Sequence, residues 1–422
     1  MDFLKEKFDT CVCGGGVSGI AAAIASAESG KRTLLIEQSG ELGGTATAGG
    51  VSHWLGGRTP DCSSFINDGI FRRLTEQAVR EGIALLPSQN KEGYSPFGWN
   101  GNPYLDAGIP FDHFRMLEML DRAVLSSGAQ ILFLTRCISC EKKNGRVRAV
   151  ICHNKSGTFP IRAELFIDAT GDADIADMAG VPFECGDENG EFAPASLEFH
   201  VDHVDGIALK RYIDAHHSPR FLQEIKALAE KGIWKFPFDR LITVQMMEPD
   251  HFLVNTPRLT GINGLDGCSV SNLMISGRKM IFELFSIMQR YFPGFENARI
   301  RDIASMPGIR ETRRIKGKYT LTVADVIEGK IFPDTIGFCC YGWDLPDPRR
   351  PSFQPMDEQH SPIHGNRIPI PFRIMEPVNV CNLLVPGRAV SVERPVLGPL
   401  RVMASCMAMG EACGRWNHVS LQ

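Results

Sequence analysis

The chain has 422 residues, 43% hydrophobic and 22% charged, with a formal net charge of −4, a composition that suits a globular protein of about two or three domains. The total carries no basic excess for a nucleic-acid partner, and no run of about 18 apolar residues offers a membrane span. The opening MDFLKEKFDT lacks the apolar stretch of a signal peptide, and thirteen cysteines, odd in number and without zinc spacing, are expected to be mostly buried thiols in a reducing, cytoplasmic setting.

In chain order, residues 9–14 (DTCVCG) read as a short buried strand. A glycine cluster turns the chain into the small-residue helix Val17–Ser29, which Gly30 stops. Thr33–Glu37 is a second apolar strand, so a β-turn-α-β unit opens a parallel sheet. Residues 40–57, rich in Gly, Ser and Thr, form a long loop. Residues 68–82 and 112–127 are helical, the second capped by Asp112 and ended at Gly128. Residues 87–110 show no periodicity and are expected to be a loop or lid. Residues 130–151 give two strands broken by a hairpin turn at Lys142–Gly145, and Pro160–Thr170 gives another. From about 182 to 310 the pattern changes to strands such as Ser196–Val201 and Leu241–Met246, with helices at 206–231 and 271–291, which predicts an antiparallel sheet with helices. After a Pro-rich loop at 344–371, Val380–Gly387 returns as a buried strand and Val402–Trp416 as a helix. The expected organisation is therefore discontinuous. Residues 1–182 with 375–422 form an α/β Rossmann-type body, and 183–374 form an inserted α+β body.

Gly14-Gly15-Gly16-Val17-Ser18-Gly19 fits G-x-G-x-x-G between a strand and a helix. In that setting Gly14 permits the tight turn, Gly16 lets the backbone approach a pyrophosphate, and Gly19 lets the helix pack close to the sheet. The helix N-terminus presents free N–H groups to the phosphates. Glu37 ends the second strand, where a carboxylate accepts both ribose hydroxyls of an adenosine and disfavours a 2′-phosphate. GINGLDG at 261–267 has no strand–helix setting, so no second Rossmann unit for a nicotinamide nucleotide is expected.

Residues 11–50, CVCGGGVSGIAAAIASAESGKRTLLIEQSGELGGTATAGG, resemble the opening of the FAD-dependent oxidoreductases related to fumarate reductase flavoproteins and thiazole-biosynthesis enzymes. More specifically, they resemble the bacterial FAD-dependent oxidoreductase family with a Gly-Gly-x-x-Thr loop after the ribose acid, here Gly43-Gly44-Thr45-Ala46-Thr47. FIDATGDADIADMAGVPF (166–183), PGIRETRRIKGKYTLTVADV (307–326) and NLLVPGRAVSVERPVLGPLRVMASCMAMGEACG (382–414) carry the same resemblance. It implies a glutathione-reductase-like FAD-binding fold and non-covalent FAD. Ala169, Thr170, Gly171 and Asp172 would come to the cofactor crevice from one strand end, and Gly387 and Arg388 from another. Arg401, Val402 and Met403 would begin a helix whose N–H groups face the flavin, and Cys137 would offer backbone atoms to adenine.

For chemistry, His53, with Trp54 in the loop expected to run along the isoalloxazine, is either a general acid/base or a histidine that only hydrogen-bonds the flavin or backbone. Arg310 matches the family's Arg-Glu-Ser motif with Thr312 in place of Ser, and a guanidinium there could clamp a substrate carboxylate or reduced-flavin charge. Arg314, Lys316 and Lys318 read as a solvated face. Val392-Glu393-Arg394 departs from the family's Ala-Thr-His. Tyr341 and Asp344 are further cavity candidates, His200, His216 and His217 read as structural, and Cys339–Cys340 is a redox candidate. No metal site is expected. The expected function is an FAD-dependent oxidoreductase exchanging hydride with a small organic substrate, with a homo-oligomer open and the electron partner unspecified. The alternatives are a flavin monooxygenase or a flavin-carrying electron-relay subunit, the latter without the cysteine pattern of an iron–sulfur partner.

Overall fold

The computed structural model describes residues 7–59, 61–86, 108–218, 220–356 and 367–416. Its central layer is a five-stranded parallel sheet in the order Leu383–Leu384, Ala163–Asp168, Phe8–Cys13, Thr33–Ile36, Gln130–Leu132. The three middle strands are buried nearly throughout, which is why they read as apolar runs rather than as alternating ones. The last part of the chain supplies an edge strand beside one formed about 215 residues earlier.

The helix Val17–Glu28 runs from the first strand and packs on Met403–Arg415, near the C-terminal end of the described chain. Small residues make that approach possible. A Cβ on Gly410 would lie 2.0 Å from the Ser18 carbonyl oxygen, and one on Gly414 2.3 Å from that of Ala22. One apolar core gathers these helices with Ile70–Arg80 and His113–Ser126. It also takes in Leu321, Val326, Phe332, Ile368 and Ile374, so much of 321–374 packs with the parallel-sheet body.

On the other face of the sheet, Arg136–Lys143, Arg146–Asn154 and Gly157–Ile161 form an antiparallel meander. Its first turn uses Asn144 and Gly145 at φ of 52° and 69°, the left-handed pair that matches strand twist. The expected single strand Pro160–Thr170 is in fact two. Pro160 sits in the outer strand of the meander, where a missing N–H is tolerated, and Ala163–Asp168 enters the parallel sheet.

A second body has its own core. Thr243–Gln245, Phe252–Val254, Phe199–Asp202 and Arg299–Ile303 form a four-stranded antiparallel sheet, covered by helices including the 25-residue Gly267–Tyr291. The expected helix 206–231 is divided into Gly206–His216 and Leu222–Glu230, with His217 and Phe221 left-handed between them. The sequence break is Ser218-Pro219, and proline has no N–H to continue a helix. The expected lid falls mostly outside the described residues, although Ile109–Pro110 pairs with His53–Trp54. Among the described residues, no helix is long and apolar enough to cross a membrane.

Candidate functional site

A cleft of about 1240 Å³ opens at the C-terminal ends of the parallel strands and continues beneath the second body. At one end it is lined by Gly14, Gly16, Val17 and Ser18. Gly14 is at φ +106°, and a Cβ there would lie 2.4 Å from the Ala169 carbonyl oxygen. Gly19 does not face the cleft. Its α-hydrogen side lies against the Gly14 carbonyl, where a Cβ would come within 1.8 Å, so it serves helix-to-strand packing. Gly16 differs from both, because a Cβ there would meet nothing within 4 Å and would project into open space. Gly16 is also the N-cap of the helix and makes no side-chain cap bond, and no acid occupies the first turn. Unclaimed helix N–H groups beside open volume are what a phosphate requires.

Glu37 lines the same end. Its Oε2 accepts from the Gly15 N–H at 2.6 Å and its Oε1 from the Ser39 N–H at 2.6 Å, which fixes the carboxylate beside the glycine turn. Gly43 is left-handed and donates its N–H to the Gly15 carbonyl, so it supports the turn from behind, while Gly44 and Thr45 reach the cleft. Cys137 lines it from the meander, its sulfur 3.8 Å from that of Cys152. From the next strand come Ala169, Thr170, Gly171 and Asp172. Asp168 ties this turn down by accepting from the Thr170 hydroxyl at 2.6 Å and the Ala176 N–H at 2.8 Å, and burial pushes its pKa up to about 6. Gly387 and Arg388 enter from the last strand, with the Arg388 guanidinium 2.6 Å from Asp172 Oδ1. Arg401, Val402 and Met403 stand at the N-terminus of Met403–Arg415, again without a side-chain cap.

The far end of the cleft holds His53 and Arg310 together with residues that motif reading passed over. Both expected residues line it. His53 is fully buried in the short strand His53–Trp54, and desolvation lowers its pKa from 6.5 to about 4, so its imidazole is neutral near pH 7. Arg310 is 8% exposed and donates to the Pro194 carbonyl. Burial first, and then the Arg258 and Arg401 charges, lower its pKa to about 9. Tyr341 and Asp344 also line the cleft. Asp344 accepts from Arg401 at 3.1 Å and from Gln354 at 3.0 Å, and the neighbouring guanidiniums hold it below the usual carboxylate range despite burial.

Glu198, Asn255, Arg258 and Trp343 were not expected here. Glu198 Oε2, Asn255 Oδ1, Trp343 Nε1 and Arg401 Nε are all buried without a hydrogen-bond partner among the described residues. Orphaned polar atoms converging on one cavity mark a place built for a ligand. Glu198 carries the one sequence signal available: a charged residue inside the apolar run Leu197–Val201. Arg258, in NTPRLTG, carries none.

Other residues resolve as framework. Arg314, expected on a solvated face, is buried and bonded to Glu311 and to the Gly186 carbonyl, whereas Lys316 and Lys318 are exposed. Glu311 is buried and is claimed by Arg394, Arg314 and the Ala193 N–H. In the Val392-Glu393-Arg394 departure, Val392 is buried, Glu393 accepts from the Val323 N–H and Arg394 pairs with Glu311. Arg313 pairs with Asp174 and Asp177. His216 and His217 lie exposed in the second body, whereas His200 is buried, and no cluster among the described residues has the make-up of a metal site. No disulfide joins any of the thirteen cysteines, Cys268 and Cys381 are exposed rather than buried, and burial pushes the Cys339 and Cys340 thiols up to about 12 and 11.

Residues 9–422 match the family described as FAD dependent oxidoreductase. The mitochondrial dihydrolipoyl dehydrogenase of Schizosaccharomyces pombe is 25% identical over 185 residues, 42% of this chain and 30% of that protein. The 6-methylpretetramide 4-monooxygenase of Streptomyces rimosus is 27% identical over 188 residues, 42% of this chain and 41% of that protein. The match thus spans less than half the length of each of these curated relatives. Among solved structures, the geranylgeranyl bacteriochlorophyll reductase-like protein of Thermoplasma acidophilum is 13% identical with a TM-score of 0.49, over 97% of this chain and 77% of that one.

Proposed function

Because this chain belongs to the FAD dependent oxidoreductase family, we propose that its cleft binds FAD non-covalently along the glycine turn and oxidises or reduces a small organic substrate at the far end. The observation that carries this reading is the continuity of one cleft from the open space at Gly16 to the orphaned polar atoms around Trp343 and Glu198. We assign the pyrophosphate to the N–H groups after Gly16, the adenosine ribose to Glu37, and adenine to the segment at Cys137. Ala169–Asp172, Gly387–Arg388 and Arg401–Met403 would hold the flavin half, in a glutathione-reductase-like arrangement. Bound flavin supplies two-electron redox chemistry, and the protein supplies position and proton control. In this reading residues 1–182 with 375–422 form the cofactor body, and the substrate body is the part of 183–374 built on the antiparallel sheet.

His53 and Arg310 have distinct tasks. A neutral, buried imidazole donates a hydrogen bond without adding charge to the cleft, or accepts a proton and carries the positive charge itself. The Arg310 guanidinium, fixed on the Pro194 carbonyl, presents its remaining N–H groups to the substrate. Burial of both keeps water from competing for them.

Anaerobic titration of the flavin-loaded chain with a metabolite library tests the assignment. A dehydrogenase substrate bleaches the flavin in the absence of nicotinamide nucleotide. Rapid bleaching by micromolar NADPH, with turnover requiring O₂, would replace this reading with a monooxygenase.

A further inference from the structure

Given the substrate end assigned above, we propose that Arg258 and Arg310 together receive a carboxylate of the substrate, and that Glu198 is the proton-holding group of that subsite. The proposal rests on an imbalance of buried charge. Arg258 sits at the start of the short strand Arg258–Leu259 and is 8% exposed, as is Arg310. Arg258 donates to the Pro351 carbonyl and Arg310 to the Pro194 carbonyl, and neither forms an ion pair with any described residue. Each is therefore fixed by one backbone contact with the rest of its guanidinium fork unclaimed among the described residues, although a buried guanidinium is costly without an anion. Nearby Asp344 is engaged by Arg401 and Gln354. Arg220 faces the same cleft and adds positive charge. The missing partner is an anion, and a fork of N–H donors matches the two oxygens of a carboxylate.

Glu198 does not fill that role. It is 3% exposed, its Oε2 has no partner among the described residues, and it makes no ion pair with either arginine. Burial drives its pKa up to about 8, with the Arg310 and Arg258 charges pulling only partly the other way. The groups around it are Arg258 and Arg310, then Asp344 and Arg401 across the cleft, and, in the strand Phe199–Asp202 that follows it, the neutral, buried His200. At neutral pH it is thus a carboxylic acid, able to donate its O–H to a bound carboxylate. If ionised, it would repel the same ligand. Anion binding and Glu198 protonation are consequently linked: above pH 8, where Glu198 is mostly ionised in the free protein, one proton from solvent forms its O–H bond as the carboxylate enters, and at any pH the bound proton is available to the substrate during turnover.

The test uses the FAD-loaded protein and matched probes, with acetate, succinate and benzoate set against acetamide, succinamide and benzamide. Calorimetric titration in buffers of different ionisation enthalpy gives both affinity and proton uptake. At least one carboxylate is expected to bind about tenfold or more tightly than its amide. At pH 8.5 its binding should take up more than about half a proton. Glu198→Gln should keep binding and lose the uptake. Arg258→Gln should lose about tenfold or more in affinity, and Arg258→Lys should recover part of it, with flavin content reporting that each variant has folded. Equal affinity for acid and amide, no carboxylate binding, or proton uptake persisting in Glu198→Gln would overturn the proposal. Flavin content and flavin bleaching are read separately, so failure of the anion subsite is distinguishable from failure of the redox assignment.

Discussion

Gly16 and Gly19 sit three residues apart in one motif and have opposite reasons for lacking a side chain. Gly19 is hemmed in by backbone, whereas Gly16 borders empty cleft. Gly16→Val should therefore fold and yet fill the volume assigned to a pyrophosphate. Absorbance of the purified variant should show flavin content reduced at least about tenfold with an unchanged far-ultraviolet spectrum, and normal flavin loading would move the phosphate elsewhere. His53 is legible in the sequence as a candidate, but its proton affinity is not, since the shift from 6.5 to about 4 comes from the walls built around it. A rate that needs its free base should stay level from pH 8 down to about 5.5 and fall only towards pH 4; an acid limb centred near 6.5 would contradict the buried setting. His53→Ala should keep its flavin and lose about a hundred- to ten-thousand-fold in the rate of reduction by the true substrate. Glu198 shows the converse limit: a lone acid between two short strands has no motif, and only the fold places it beside two arginines.

At the scale of elements, the packing of Val17–Glu28 on Met403–Arg415 joins two ends of the described chain. Its spacing is set by Gly410 and Gly414. Gly410→Ala places a methyl group 2.0 Å from the Ser18 carbonyl oxygen, so the helices must separate. A loss of about 1–3 kcal/mol in chemical denaturation is expected, with lower FAD affinity, because the displaced helix carries the Gly16 turn. Unchanged stability would mean that the two helices do not set each other's position. Elements defined by local chemistry were readable from sequence. The glycine-flanked helix, the Asp112-capped helix His113–Ser126, whose Asp112 carboxylate accepts from two backbone N–H groups, and the Asn144-Gly145 hairpin all follow from rules acting within a few residues. Elements defined by distant partners were not. Pro160–Thr170 is periodic as one strand, and only its two separate sets of neighbours divide it. Leu383–Leu384 is shorter than the apolar run around it, because the Val385 N–H leaves the sheet to donate to the Met375 carbonyl.

Across the whole molecule, a chain of buried hydrogen bonds joins the second body to the loop that carries His53. His251 Nδ1 lies 3.2 Å from Glu248, His251 Nε2 lies 2.8 Å from His200 Nδ1, and Ser52 Oγ bridges His200 at 3.3 Å and His113 at 3.1 Å. His113 also lies 3.6 Å from Asp302, too far for a hydrogen bond, and burial pushes both groups towards their neutral forms. Burial lowers the His113 pKa to about 4, so the unfolded chain binds a proton there more readily than the folded one. That contribution to stability is complete above pH 6.5 and declines as pH falls towards 4. The stability gap between wild type and His113→Gln should therefore narrow by about 2 kcal/mol between pH 7.5 and 5 in urea titrations, and a constant gap would show that His113 titrates normally. The central claim, one cleft shared by cofactor and substrate, is tested most directly by hydrogen–deuterium exchange on the flavin-stripped chain before and after reloading with FAD. Protection is expected in peptides covering 14–19, 37–45, 169–172, 387–388 and 401–406. Protection confined to the antiparallel sheet between 199 and 303, or none despite equimolar FAD, would contradict it.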